Sequence, residues 1–332
     1  MPMVDDSRLQ AVWYGGRAPS IAWRVLSALF GCVGRLRRGL YRAGLLPRTR
    51  LSVPVIVVGN IGVGGTGKTP LTIALVDALR ERGFRPGVIS RGFGGSARAA
   101  VRVDADSAPA VVGDEARLIF DATQAPVAVA RKRAEAGRLL LQGGGIDLLI
   151  ADDGLQHYAL RRDVEICVID GVRRFGNGRL LPAGPLREPV SRLASVDFRV
   201  CNGGTAQADE VPMTLAGDTA CPLTGAPPRS LREFAGQRVH AVAGIGNPQR
   251  FFAMLRACGI DPIEHAFPDH HAFVASDLDF GDDAPVLMTD KDAVKCAAFA
   301  RPHWWRVPVR AILPDGFFDA VSARVKGFAN SR

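Results

Sequence analysis

The hydrophobic positions follow one rhythm in the first fifty residues and another in the rest of the chain. Ala22, Val25, Leu26, Leu29, Val33, Leu36 and Leu40 recur at helical spacing, at about 100° per residue, and fall on one side. Arg24, Arg35, Arg38 and Arg42 fall on the other side, with Trp13, Tyr14 and Trp23 just upstream. This pattern suits a helix lying in a membrane interface. It equally suits a helix packed on the protein's own core with a solvated arginine face. Beyond Arg50 the pattern becomes short apolar, β-branched runs separated by turn residues and helical stretches. The runs predict strands at 53–58, 86–90, 125–130, 146–151, 164–169 and 196–201, with a helix over 69–82 whose Pro70 is tolerable in the first turn. A pattern-poor stretch from Gly203 to about Ala235 reads as an inter-domain connection. A second α/β unit follows, with strands at 239–243, 263–267 and 286–289 and a helix over 248–258. The expected organisation is a basic amphipathic segment 1–50, a first domain 51–205, a linker 206–235 and a smaller α/β domain 236–325.

Charge sharpens this division. The 332 residues carry a formal net charge of +9, yet the first fifty hold nine arginines against two acids, so the body is nearly neutral. Each basic side chain near an anionic leaflet adds up to about 1 kcal/mol, which supports peripheral, salt-sensitive attachment to an anionic membrane surface. No run reaches the ~20 apolar residues of a spanning helix. Arg24 interrupts the only segment resembling a secretory signal. The six cysteines form no C-x-x-C pair, so neither a zinc framework nor a dense disulfide scaffold is indicated, and a reducing cytoplasm fits best. Neither zinc-finger nor RNA-binding aromatic patterns are present, so no nucleic-acid partner is expected.

The strongest chemical signal is Gly62-Val63-Gly64-Gly65-Thr66-Gly67-Lys68-Thr69, directly after a predicted strand and opening a predicted helix. Glycines let backbone N–H groups turn inward around phosphate oxygens, Lys68 reaches the β- and γ-phosphates, and the Thr69 hydroxyl meets Mg²⁺. The strand 146–151 ends in Asp152-Asp153-Gly154, which places carboxylates for Mg²⁺ beside the nucleotide. Together these predict an α/β fold: a P-loop NTPase-like parallel sheet with helices on both faces, a second smaller α/β domain and an N-terminal amphipathic helix. A GTPase is disfavoured, because Thr289-Asp290-Lys291-Asp292 has Asp where guanine recognition needs Asn or Thr, and the acids run D-D-G rather than D-x-x-G. Asp114, in a Gly-Asp-Glu turn, is either a helix cap or a general base. His270, on a Pro-bearing loop, is either a surface residue or the partner of such a base. Asp153 is the alternative base. An Asp–His pair is suited to taking a hydroxyl proton near neutral pH.

Several longer strings carry a resemblance. Gly64-Gly65-Thr66-Gly67-Lys68-Thr69-Pro70, Ser90-Arg91-Gly92-Phe93-Gly94-Gly95, Gly113-Asp114-Glu115 and Asp152-Asp153-Gly154-Leu155-Gln156-His157 are followed by Leu180-Leu181-Pro182-Ala183-Gly184-Pro185-Leu186-Arg187-Glu188, Asp269-His270-His271 and Lys291-Asp292-Ala293-Val294-Lys295. In this order they resemble the tetraacyldisaccharide 4'-kinase (lipid A 4'-kinase) family. The resemblance implies ATP- and Mg²⁺-dependent phosphorylation of the 4'-hydroxyl of a tetraacylated glucosamine disaccharide 1-phosphate, at the cytoplasmic face of a bacterial inner membrane. It implies Asp114 as the catalytic Asp, His270 as its partner, Asp152 and Asp153 as Mg²⁺-linked acids, and Lys68 and Thr69 as the P-loop pair. His157, Glu188 and Arg91 fall in the same motifs and are further candidates. Arg91, Arg161, Arg162 and Arg187 are candidates for the substrate's 1-phosphate. Phe93 stands where the family often has Tyr, and Ala116 where it often has Pro. Two other readings stay open from the residues alone: a membrane-associated P-loop ATPase, and a soluble small-molecule kinase whose first helix is structural.

Overall fold

Alternation within each buried strand decides which layer its side chains join. The structure is a computed structural model and describes residues 6–329; the first five positions of the expected basic segment lie outside the described residues. Two helices, α1 (Asp6–Trp13) and α2 (Ile21–Arg42), precede the first strand, β1 (Val55–Gly59). There follow α3 (Lys68–Glu81), β2 (Pro86–Ser90), β3 (Val101–Val103), α4 (Pro109–Val112), α5 (Asp114–Thr123), β4 (Val127–Val129), α6 (Arg133–Gln142), β5 (Leu148–Ala151), β6 (Val164–Asp170), β7 (Phe198–Asn202) and β8 (Val211–Ala216). The remaining elements are β9 (Thr219–Pro222), β10 (Arg229–Ser230), β11 (His240–Ala243), α7 (Pro248–Ala257), β12 (Ile263–Ala266), β13 (Val286–Thr289), α8 (Asp290–Cys296), β14 (Trp304–Val307), β15 (Arg310–Ile312) and α9 (Asp315–Ala329).

The larger sheet runs β15-β8-β7-β6-β1-β5-β2-β4-β3, parallel from β8 to β4 with an antiparallel strand at each edge. Ile56 and Val58 of β1 face one core with Leu71, Leu75 and Leu79 of α3 and Phe317, Val321 and Val325 of α9. Val55 and Val57 face the opposite core with Leu140 of α6 and Leu155. Both faces are covered, which is why β1 and β5 are unbroken apolar runs. The smaller sheet runs β10-β9-β14-β13-β11-β12, and Phe234, Phe252, Leu255 and Trp305 dominate one of its cores.

Two segments lie elsewhere than the sequence pattern suggested. The stretch 206–235, expected as a connection, supplies β8 to the larger sheet and β9 and β10 to the smaller one. Its strands are short and broken by Pro and Gly, which hid their periodicity. The segment after residue 309, expected in the second unit up to 325, returns to the first: β15 pairs with β8, and α9 buries Phe317, Phe318, Val321 and Val325 against the larger sheet.

Helix α2 docks through its narrowest side. The Ser27 hydroxyl donates to the Leu180 carbonyl at 2.8 Å, Gly31 lies so close that a Cβ would sit 2.7 Å from Leu180 Cδ1, and Arg38 donates to Ser195 at 3.0 Å. Its apolar side faces away from the body, leaving Val25, Leu26, Leu29, Val33 and Leu36 between 52% and 67% exposed. Packing of that face on the protein's own core is therefore not what the fold does. Among the described residues no helix is long and apolar enough to cross a membrane.

Candidate active site

The phosphate-binding loop leaves β1 and turns into α3 through Gly64 and Gly67, whose φ values of +99° and +91° suit glycine alone at this turn. Asn202, at the end of β7, donates to the Thr66 carbonyl at 2.9 Å and holds the loop to the sheet. Lys68 opens α3 and lies 3.6 Å from Asp153 Oδ1. Arg187 reaches the other Asp153 oxygen at 3.2 Å, and Arg133 donates to the carbonyls of Asp152 and Asp153 at 3.1 and 2.7 Å. Burial works to raise the Asp153 carboxyl, but Lys68, Arg187 and Arg133 outweigh it and hold it down at about 2.

Asp152, one residue earlier, has the opposite environment. It is fully buried, and burial, reinforced by Glu115 and Asp153, pushes its carboxyl up to about 7. Its Oδ1 accepts a 2.9 Å hydrogen bond from Thr72, one turn along α3 from the expected Thr69, while Oδ2 has no partner. A buried, unpartnered carboxylate oxygen one turn from the P-loop suits a hard divalent cation. The residues present thus fit Mg²⁺.

Asp114 opens α5 beside the larger sheet and His270 lies in the loop after β12 of the smaller one; 156 residues apart in the chain, they meet at 3.1 Å between Oδ2 and Nδ1. Asp114 opens α5 after Gly113, which has φ +89° and abuts the Arg91–Gly95 loop so closely that a Cβ would sit 2.6 Å from the Phe93 carbonyl. This contact links two of the glycine strings noted in the sequence. The Phe93 ring lies 4.7 Å from the His270 ring. On the other side of the imidazole, Lys291 Nζ lies 3.3 Å from Nε2 while pairing with Asp269 at 3.1 Å and Glu115 at 3.2 Å. Burial tends to raise the Asp114 carboxyl, but the His270 hydrogen bond and the Lys291 charge bring it below its ordinary value. The hydrogen bond to Asp114 lifts the His270 imidazole above its own, against burial and Lys291. The smaller sheet also caps the phosphate loop: Gly246 lies against Gly64 and Gly65, and its carbonyl accepts from Arg173 at 3.0 Å. Arg250 pairs with Asp170 at 3.1 Å across the same seam.

The other candidates scatter around this centre. Burial and four arginines, Arg133, Arg162, Arg37 and Arg91, push the His157 imidazole down to about 4, so it is neutral at physiological pH. Glu188 bonds Tyr158 and, at 3.0 Å, Gln156, and braces the loop after Asp153. Arg91 is exposed beside these groups. Arg187 is at the centre, whereas Arg161 and Arg162 line a separate cavity. Sequence reasoning assigned no part to Arg133 or Lys291. Lys291 stood in a quoted motif, but nothing local in the sequence pointed to Arg133.

A family model described as tetraacyldisaccharide-1-P 4'-kinase matches residues 20–326. The tetraacyldisaccharide 4'-kinase of Stenotrophomonas maltophilia (strain R551-3) is 53% identical over 323 residues, covering 94% of this chain and 95% of its own. That of Xanthomonas euvesicatoria pv. vesicatoria (strain 85-10) is 50% identical over 337 residues, covering 98% and 97%. Among solved structures, LpxK from Aquifex aeolicus in complex with ATP aligns with a TM-score of 0.74 at 26% identity, over 90% of this chain and 97% of the other. With identity at this level sustained over nearly its whole length, the chain belongs to the tetraacyldisaccharide-1-P 4'-kinase family.

Proposed function

We propose that this chain transfers the terminal phosphoryl group of ATP to the 4'-hydroxyl of a tetraacylated glucosamine disaccharide 1-phosphate. The observation that carries the reading is the Asp114–His270 contact, which gives a carboxylate of one unit an imidazole partner from the other. The loop 62–69 holds the triphosphate through its backbone N–H groups, and Lys68 exchanges Asp153 for the β- and γ-phosphates. Thr69, Asp152 and Asp153 would hold Mg²⁺, which supplies neutralisation of the triphosphate charge. Asp114 accepts the proton of the attacking hydroxyl, and His270 orients the carboxylate and shares that proton. Arg187, released from Asp153, remains as a cation for substrate phosphate. The larger sheet, with its C-terminal return, forms the nucleotide-binding unit, and the smaller sheet is the unit that completes the site. Water is kept from idle hydrolysis because the dyad forms only when the two units meet.

The exposed apolar side of α2 supports peripheral attachment at the cytoplasmic face of the inner membrane, where a substrate with four acyl chains resides. The test is transfer of label from γ-labelled ATP to a tetraacyldisaccharide 1-phosphate. Label appearing at the 4' position is the expected result. Release of free phosphate at the same rate with or without the lipid would overturn the proposal in favour of an ATPase.

A further inference from the structure

A second concentration of arginines lies apart from the phosphate loop, at the seam between the C-terminal half of α2 and the body. There a cavity of 470 Å³ is lined by Arg38, Arg42, Arg48, Arg161, Arg162 and Arg192, against only Asp163, Glu165 and Asp197. All three carboxylates are engaged. Glu165 pairs with Arg192 at 2.6 Å and Arg162 at 3.0 Å. Asp197 pairs with Arg324 at 2.7 Å and accepts from the Glu165 amide at 2.8 Å, and Asp163 accepts from the Val55 amide at 2.9 Å. Arg38 donates to the Ser195 hydroxyl, and Arg48 lies 5.9 Å over the Tyr41 ring. Among the residues lining the cavity, the six arginines outnumber the carboxylates by three. Burial pushes the Arg38 guanidinium below its ordinary value, and Arg192 and Arg42 push the same way against Tyr158 and Glu188. Like charges gathered in excess in a concavity are repulsive until an anion enters.

We propose that this cavity binds the phosphate headgroup of an anionic phospholipid, separately from the kinase substrate. The helix that supplies Arg38 and Arg42 also carries Val33 and Leu36, 67% and 66% exposed, and Leu45 just beyond it is 72% exposed. With Val33 and Leu36 in the acyl layer, the opposite, arginine-bearing side of α2 lies at the level of the lipid headgroups and brings phospholipid phosphates, rather than free phosphate, to the cavity. Arginine forks suit the paired oxygens of a phosphodiester. The site extends the membrane reading of α2 and rests on it: the apolar side inserts, and the cavity fixes the depth and rotation of the helix by gripping one headgroup.

The full-length chain is tested by calorimetry against dihexanoyl phosphatidylglycerol, whose chains are too short to form a bilayer, and against inorganic phosphate. Arg42→Gln/Arg48→Gln/Arg161→Gln removes three exposed cavity arginines. Arg24→Gln/Arg35→Gln/Arg37→Gln removes the same charge from α2 outside the cavity. Thermal melts confirm that both variants fold. The expected result is lipid binding by the parent and the control triple, at least about ten-fold weaker binding by the cavity triple, and weaker binding of inorganic phosphate throughout. Equal losses in the two triples would reduce the effect to diffuse charge and overturn the proposal. Inorganic phosphate binding as tightly as the lipid would overturn the headgroup assignment. A raised KM for the tetraacyldisaccharide without loss of phospholipid binding would transfer these arginines to the substrate. The membrane reading fails separately if Leu29→Ser/Val33→Ser/Leu36→Ser still floats with phosphatidylglycerol vesicles.

Discussion

Asp153 and Asp114 are both carboxylates held below their ordinary range by cations, but the cations come from different places. Those of Asp153, namely Lys68, Arg187 and Arg133, all belong to the larger sheet and its loops. Those of Asp114, namely His270 and Lys291, come from the smaller sheet. The first constellation is fixed by the packing of one sheet, whose strands β1 and β5 are fully buried. The second exists only where two sheets meet. On the proposed roles, nucleotide binding belongs to one half, and the base is complete only on contact with the other. Binding and transfer should therefore be separable by substitution.

The largest expected effect tests that separation. Asp114→Ala should lower turnover by about 10²–10⁴-fold and leave nucleotide affinity close to the parent's. Lys68→Ala, on the other half, should weaken nucleotide binding as well as turnover. Titration with a fluorescent ATP analogue, alongside single-turnover transfer, reads both quantities. If Asp114→Ala weakened nucleotide binding as much as Lys68→Ala does, the two halves would not be independent and the comparison would fail.

A smaller effect sharpens the smaller-sheet half. His270 is faced by Asp114 from α5, Lys291 from α8, its neighbour Asp269 and the ring of Phe93. The Lys291 ammonium is kept charged by Glu115, Asp114 and Asp269 against the effect of burial. It lies 3.3 Å from Nε2 and opposes protonation of the imidazole. Protonated His270 would weaken Asp114 as a base. Lys291→Met removes the charge that opposes imidazolium, so the acid limb of the pH–rate profile should move to higher pH. Turnover near neutrality should fall about ten-fold or less. An unmoved limb would reduce Lys291 to a tether between α8 and α5.

Those chemical residues were legible because phosphate chemistry demands particular residue types at fixed spacing. The 62–69 loop joins β1 to α3, Asp152-Asp153 follow β5, Asp114 meets His270, and α3 begins one residue before the predicted helix. What escaped is what long-range packing decides. Arg133 becomes a site residue only because α6 lies where its guanidinium can reach the carbonyls of 152 and 153. The return of α9 to the first sheet depends on an edge pairing, β15 with β8, between strands of three and six residues. Helix α2 is the most instructive case. Its periodicity correctly gave an apolar side, but no periodicity says whether that side meets protein or solvent. Ser27 and Gly31, small residues with little hydrophobic signal, set the docked side instead.

The smallest effect concerns stability and reads the seam between the sheets directly. The folded Asp114 carboxyl lies below its unfolded value, so its contribution is present above that value and is lost as pH falls through the folded one. The folded His270 imidazole lies above its unfolded value, so its contribution is complete below that value and is lost as pH rises through the folded one. Both are present together between about pH 4 and about pH 6.5, the unfolded values of the two groups. Because His270 is partly solvated, screening keeps the gain small, no more than about 2 °C in Tm. The melting temperature of the parent minus that of His270→Gln should peak inside this window and shrink on both sides. A difference that stayed flat from acid to alkaline pH would mean that His270 holds Asp114 as a neutral hydrogen-bond donor. The ion pair across the sheets would then have no share in joining them.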